Sequence, residues 1–152
     1  MKSKTEIKHW LTGSILFEFE CDGNTILKTL VEAVNKKANL SGAYLRGADL
    51  RDANLRGANL YDANLSGVYL SGKKIKTAAV FAGLYDYTVM PYITEDGEKW
   101  IKMGCHNRIL SDWESDFWNN PTEFPDDGSV KSNLRLMAFE TAKKWFEIIE
   151  KQ

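Results

Sequence analysis

The sequence holds few of the residues that build covalent or metal-bound frameworks. Its 152 residues include two cysteines, two histidines and three prolines. The cysteines, Cys21 and Cys105, lie far apart in the chain and do not make a disulfide framework. A closed zinc site needs four nitrogen or sulfur ligands, so both cysteines and both histidines would have to converge to supply them. We therefore expect no metal and no cofactor.

Long apolar runs are also missing. The first residues, MKSKTEIKHW, contain no apolar stretch of the length that a signal peptide needs. Elsewhere no run approaches the roughly 18 apolar residues of a membrane-spanning helix. The sequence therefore predicts a soluble protein of a reducing, cytoplasmic compartment, with no membrane partner.

An excess of charge of either sign is absent too. The 20 basic residues nearly balance the 21 acidic residues, which leaves a formal net charge of -1. Nucleic-acid-binding proteins usually carry a basic patch, so we expect no nucleic acid partner. The chain also lacks the GxGxxG, P-loop, HExxH and GxSxG motifs of common nucleotide and catalytic sites. We expect a protein that is not an enzyme.

What the sequence does have is a five-residue repeat over residues 38–72. A leucine occupies the centre of every copy: Leu40, Leu45, Leu50, Leu55, Leu60, Leu65 and Leu70. An alanine stands two residues before each leucine, except in the last copy, where Val68 replaces it. A period of five is neither the 3.6 of a helix nor the 2.0 of a strand. The pattern predicts a chain that turns a corner at each copy, with the leucine and alanine inside.

This A(D/N)LXX pattern resembles the pentapeptide-repeat family. The resemblance implies a short right-handed quadrilateral β-helix with four pentapeptides per coil, of which residues 38–72 supply under two coils. Some members of the family imitate DNA and act on type II topoisomerases, but those are long, negatively charged rods. At the usual strand spacing this repeat spans only about 9 Å. Its arginines, Arg46, Arg51 and Arg56, fall on different faces beside several aspartates. A DNA-mimic topoisomerase modulator is therefore the least favoured function.

The N-terminal region, residues 1–37, predicts a β-hairpin followed by a helix. Alternating apolar residues lie on either side of a TGS turn, and Asn24 or Thr25 can cap a helix that extends to about Lys37. A β-helix of fewer than two coils would be only marginally stable alone, because a repeat unit buries its apolar face only against neighbours. We expect this region to cover one end of the repeat.

The C-terminal region, residues 73–152, predicts two or three strands and two helices. Ser111 and Glu114 have the spacing of a capping box before a short acidic helix, and a last helix starts at about Ser129. The predicted inner face of that last helix is Leu134, Met137, Ala138, Thr141, Trp145, Ile148 and Ile149. The chain is then one composite domain of mixed β/α class, in which residues 1–37 and 73–152 cap the repeat.

The C-terminal region also resembles short pentapeptide-repeat proteins that bacteriophages often encode, through its GC…R…W…FWNN…EFP…GS…KS…R…A…A…W pattern. That resemblance implies no established activity. We expect a protein-interaction module, encoded by a phage and acting on a host protein or defence system in the host cytoplasm. The alternative is a protein that binds or sequesters a small anion such as a nucleotide. Homo-oligomers fit either function.

The candidate contact residues lie between Cys105 and Asp127, where the chemistry is least uniform. Interfaces favour Trp, Tyr and Arg as anchors. The candidates are Cys105, His106, Arg108, Trp113, Asp116 and Trp118. Adjacent residues on a strand point to opposite faces, so a Cys-His nucleophile pair is not expected. The alternative is that the tryptophans belong to the core and that the partner binds elsewhere, for example at a homodimer face.

Overall fold

The computed structural model describes residues 1–51, 53, 55, 58–81, 83–85, 87–104, 106–117 and 126–152. These residues form a mixture of strands and helices, as the sequence predicts. The elements in chain order are β1 (Lys2–Lys8), β2 (Ile15–Asp22), α1 (Ile26–Asn35), β3 (Tyr69–Leu70), β4 (Lys73–Ala78), β5 (Val89–Thr94), β6 (Lys99–Met103), β7 (His106–Ile109), α2 (Leu110–Ser115) and α3 (Val130–Ile149).

Strands β1 and β2 form the predicted antiparallel hairpin, and α1 follows it. The Thr25 side chain accepts a hydrogen bond from the Lys28 backbone N–H at 3.2 Å, which caps the first turn of α1. Leu30 and Ala33 of α1 are fully buried and belong to the same core as the repeat leucines. The helix therefore shares a core with the repeat.

All seven repeat leucines are buried, from Leu40 at 0% exposed to Leu55 at 5%. Residues 20 positions apart in the repeat pair with each other. Asn39 forms a parallel bridge with Asn59, and the Asn59 side-chain amide donates to the Asn39 side-chain oxygen at 2.9 Å. Two more parallel bridges with the same offset join Tyr44 to Asn64 and Asp49 to Tyr69. The described part of the repeat consists of turns and isolated bridges, with Tyr69–Leu70 as its strand, and does not form the continuous strands of a full β-helix.

The second sheet is antiparallel, with the order β3-β4-β5-β6-β7, and both of its faces are covered. On one face Met90 and Tyr92 join the core of the repeat. On the other face Val89, Ile101 and Met103 pack with residues of α2 and α3. The sheet therefore separates two cores. This explains why β5, with the sequence VMPYIT, is apolar at nearly every position instead of alternating.

Tyr92 gives the sheet a measurable pH dependence. Its side chain is fully buried, and its hydroxyl lies 3.0 Å from the Asn107 side-chain oxygen and accepts from the Asn107 amide at 2.8 Å. Burial raises the pKa of Tyr92 to about 12 from its ordinary value of 10.0. The buried phenol resists ionisation, so its contribution to stability is complete below pH 10 and is lost as the pH rises to about 12.

Urea unfolding at about pH 9 and about pH 11.5 checks this dependence. From a shift of about two pKa units, we expect the free energy of unfolding to fall by about 2 kcal/mol between these two pH values through Tyr92 alone. Tyr92→Phe is the control, because it keeps the ring and cannot ionise. Any fall that remains in this variant reports other groups, such as the lysines. An equal fall in both proteins would contradict the assignment.

The start of α2 differs from the prediction. Ser111 is not the cap: Ile109 occupies that position and makes no side-chain capping bond, and Ser111 lies inside the first turn. The β7 strand extends to Ile109, and α2 begins at the next residue, Leu110. The predicted start of α3 is confirmed, because the Ser129 hydroxyl accepts from the Ser132 N–H at 3.1 Å.

The inner face predicted for α3 is wrong by about one residue, or roughly 100° of rotation. The buried residues of α3 are Ser132, Arg135, Ala138, Phe139, Ala142 and Phe146. Leu134, Met137 and Ile148, which were expected inside, are 37%, 46% and 52% exposed. Ala138 and Ala142 let the helix backbone approach the sheet, and the two phenylalanines bury more area than the aliphatic side chains they displace. Ala138 is buried as predicted, and Trp145 is partly buried against the same core.

Candidate functional site

Three of the six predicted contact residues lie on β7 and α2, and Asp116 directly follows α2. The other two, Cys105 and Trp118, lie outside the described residues. Trp113 is fully buried, and its indole N–H donates to the Ile101 carbonyl at 2.9 Å. A side chain with no exposed surface cannot anchor a partner without rearrangement. The structure therefore places Trp113 in the core between the sheet and α3.

The side chains of His106 and Arg108 both contact the ring of Trp113. They are two residues apart on β7 and so share one face of the strand. The Arg108 guanidinium carbon lies 4.8 Å from the centre of the Trp113 ring, within the range of a cation–π contact. The His106 ring meets the Trp113 ring edge-on, with 6.4 Å between ring centres. These contacts fix α2 against β7, and both side chains remain partly accessible.

Asp116 is exposed where α2 ends, beside a groove between α2 and α3 of about 410 Å³. The groove is acidic, since Glu114, Asp116 and Glu140 line it. Lys143 also lines it, but its ammonium lies 3.4 Å from the Glu114 carboxylate and 3.7 Å from that of Glu140. An anionic ligand would therefore meet an excess of negative charge here.

A second open groove, of about 400 Å³, lies between the start of α1 and the repeat. Its cation is Arg51, whose Nε donates to an Asp49 carboxylate oxygen at 2.9 Å. The hydrogen bonds from Arg51 lower the pKa of Asp49, so the carboxylate stays charged and balances the guanidinium. This groove does not favour a phosphate either. Arg56 lies outside the described residues, and within the described part of the chain no three acidic, histidine or cysteine groups are placed to hold a metal ion.

An exposed apolar surface lies on α3, along residues outside the set that the helix buries. We define the α3 stripe as Val130, Leu134, Met137, Thr141, Lys144 and Ile148. Its four apolar members are 75%, 37%, 46% and 52% exposed in that order. Sequence reasoning missed this surface because it assigned three of the four to the core. The signal was present as an alternating spacing of four and three residues along the helix.

No helix in the described ranges is both long enough and apolar enough to cross a membrane, and this includes α3.

Comparison with known families identifies the repeat. Residues 36–72 match the family model for pentapeptide repeats, in 8 copies. The chain therefore contains pentapeptide repeats, as its sequence predicts, and the match begins two residues before the predicted first copy. No curated protein and no solved structure shows significant similarity to the chain.

Proposed function

We propose that this protein is a non-enzymatic protein-interaction module, in which the repeat and the sheet form a scaffold and the α3 stripe binds the partner. The exposed stripe carries the proposal. Four apolar side chains lie along one line of a helix whose other side is already packed on the sheet. An apolar surface of this kind on a folded domain commonly marks a protein interface.

The charges of the grooves favour a protein partner over a small anion. A site for a nucleotide needs converging donors or cations that are free to bind phosphate. In the α2–α3 groove the carboxylates of Glu114, Asp116 and Glu140 outnumber the single cation, Lys143. A protein partner needs neither groove, because the stripe alone offers it apolar contacts.

The repeat supports this function as a rigid spacer. We infer that it forms a short right-handed, four-sided coil, which the family resemblance implies. The offset of 20 residues between bridged positions supports this inference, because it equals four pentapeptides. The buried leucines continue into the cores of α1 and the sheet, so the coil can hold both flanking regions in place.

The resemblance of the C-terminal region to short phage-borne proteins is the support for a phage origin and a host protein as the target. The α3 stripe lies within that region. A host target would then be recognised mainly through apolar contacts, with the charges beside the stripe setting its orientation.

A capture experiment tests the proposed surface with two matched variants. Leu134 and Leu136 are both on α3 and both 37% exposed, but Leu134 belongs to the stripe and Leu136 lines the acidic groove. Tagged wild type, Leu134→Lys and Leu136→Lys serve as baits in a bacterial lysate that also contains an untagged copy of the chain. We expect the wild type and Leu136→Lys to retain the same captured protein. Leu134→Lys should lose it at least about tenfold, because a charge would be buried at the interface.

Each bait must first show an unchanged melting temperature. Loss with Leu136→Lys alone would place the contact in the acidic groove, near the residues predicted from sequence. Equal retention by all three baits would contradict the stripe as the contact surface. Failure of the wild type to capture either a lysate protein or the untagged copy would contradict the interaction function itself.

A further inference from the structure

The members of the α3 stripe alternate in spacing by four and three residues. This alternation over Val130, Leu134, Met137, Thr141, Lys144 and Ile148 is the a/d pattern of a helix that packs along another helix. The pattern covers about 27 Å of α3, at about 1.5 Å per residue. A strand or a flat loop would not match such a seam. The occupant of the stripe is therefore a helix.

We infer that this helix is α3 of a second copy of the chain, packed antiparallel along the stripe. This inference rests on the proposed function and names the partner. With the two-fold axis near residue 139, Val130 of one copy lies opposite Ile148 of the other, and Met137 lies opposite Thr141. Leu134 then lies opposite Lys144. Each large apolar residue of the seam thus meets an apolar surface of the partner copy.

The two polar members of the stripe are already satisfied within their own helix. The Thr141 hydroxyl donates to the Met137 carbonyl at 2.8 Å, so the side chain can present its methyl group to a partner. The Lys144 ammonium lies 2.7 Å from the Glu147 carboxylate, which leaves the aliphatic stem to cover Leu134 of the second copy. The Thr141 hydroxyl and the Lys144 ammonium therefore each keep a partner within their own helix when the seam is buried.

Charge decides the orientation of the two helices. A parallel pair in register would place Lys144 directly against Lys144 of the second copy, and like charges at the seam disfavour pairing. In the antiparallel pair the two Lys144 residues are separated by about 15 Å along the helix axis. The antiparallel arrangement is also isologous, so one patch serves both subunits and the contact closes as a dimer.

The size of the seam predicts a weak dimer. The area of a strip about 27 Å long and about 10 Å wide is far below the roughly 800 Å² that each partner buries in a standard stable interface. We therefore expect a dissociation constant between about 1 µM and about 1 mM. The chain would exchange between monomer and dimer with concentration, and another apolar helix could compete for the same stripe.

Sedimentation equilibrium between about 10 µM and about 1 mM covers this affinity range. The wild type and Leu136→Lys should both rise towards twice the monomer mass. Leu134→Lys, with the same exposure in the monomer, would place a second ammonium against Lys144 of the other copy and should stay monomeric over the whole range. A wild type that stays monomeric would overturn the inference, and so would equal association of the wild type and both variants.

Disulfide trapping tests the orientation. In a background with both native cysteines replaced by serine, Val130→Cys and Ile148→Cys are mixed and oxidised. The antiparallel pair predicts a mixed disulfide between the two variants and little self-coupling of either one. Self-coupled dimers of each variant without the mixed product would show a parallel pair and would overturn this arrangement.

The capture experiment separates this inference from the proposed function. If Leu134→Lys releases a lysate protein while the wild type neither captures its untagged copy nor associates in the centrifuge, self-pairing is wrong and the interaction function stands. If substitution at Leu134 changes neither capture nor association, both are wrong for this surface.

Discussion

Truncation of Leu50 to alanine is expected to lower the free energy of unfolding by about 2–5 kcal/mol, as for other fully buried leucines. Leu50 is 0% exposed and is the third of the seven repeat leucines. Its backbone N–H donates to the Tyr69 carbonyl at 2.9 Å, and its own carbonyl accepts from the Ala53 N–H at 3.0 Å. Because these bonds fix the chain on both sides, the repeat cannot collapse around the missing side chain. The cost should therefore lie in the upper part of the range.

Urea unfolding followed by far-UV circular dichroism measures this cost. Arg46→Ala is the matched control, since Arg46 follows the equivalent leucine of the neighbouring copy and is exposed. Its effect should stay within about 0.5 kcal/mol. If Leu50→Ala cost no more than this control, the repeat leucines would not form the core that the structure assigns to them.

The repeat shows what the sequence could predict. Each copy carries the same local pattern, a leucine with a small apolar residue two positions earlier. Burial of Leu40 through Leu70 could therefore be predicted without knowledge of distant elements. The local signals of Thr25 and Ser129 predicted the starts of α1 and α3 for the same reason, because a cap acts within four residues. The capping signal at Ser111 failed, since the strand before it extends to Ile109 and leaves no room for a cap there.

The α3 helix shows why local signals were not enough. Its sequence holds two overlapping apolar stripes, both with helical spacing, and periodicity cannot rank them. The choice depends on the surface that receives the helix, which is the face of the sheet around Ile101 and the buried ring of Trp113. Phe139 and Phe146 fit that surface, and Met137 and Ile148 remain outside. The proposed contact surface was therefore hidden among residues predicted to be core.

The same limit applies to Trp113 and Arg108. Composition marks a tryptophan near an arginine as a candidate interface anchor. A buried tryptophan under an arginine has the same composition. In the structure Arg108 pairs with Ile101 across β6 and β7, and the Trp113 indole donates to the Ile101 carbonyl, so Arg108 and Trp113 meet on one face of the sheet. The sequence could supply the residues of this cluster but could not distinguish a structural role from a binding role.

Substitution of Gly42 by alanine is expected to detach the N-terminal hairpin from the repeat. The Gly42 carbonyl accepts from the Trp10 N–H at 2.8 Å, and its N–H donates to the Tyr61 carbonyl at 2.7 Å, so this residue joins the hairpin tip to two levels of the repeat. Its φ is +70°, and a Cβ here would lie 2.3 Å from the His9 Nε2. His9 cannot move away easily, because its Nδ1 accepts from the Leu11 N–H at 3.1 Å.

Gly47→Ala separates the backbone strain of Gly42→Ala from its clash with His9. Gly47 has nearly the same φ, +73°, but a Cβ there would meet nothing within 4 Å. Both variants bear the left-handed penalty of about 1–2 kcal/mol, and overpacking against His9 should add about 1–3 kcal/mol to Gly42→Ala alone. In a double-mutant cycle His9→Ala should remove that excess and bring Gly42→Ala close to Gly47→Ala. Urea unfolding of the five proteins, including the wild type, measures each term. Equal costs for the two glycine variants, or an excess that persists without His9, would show that the hairpin does not dock on the repeat through this contact.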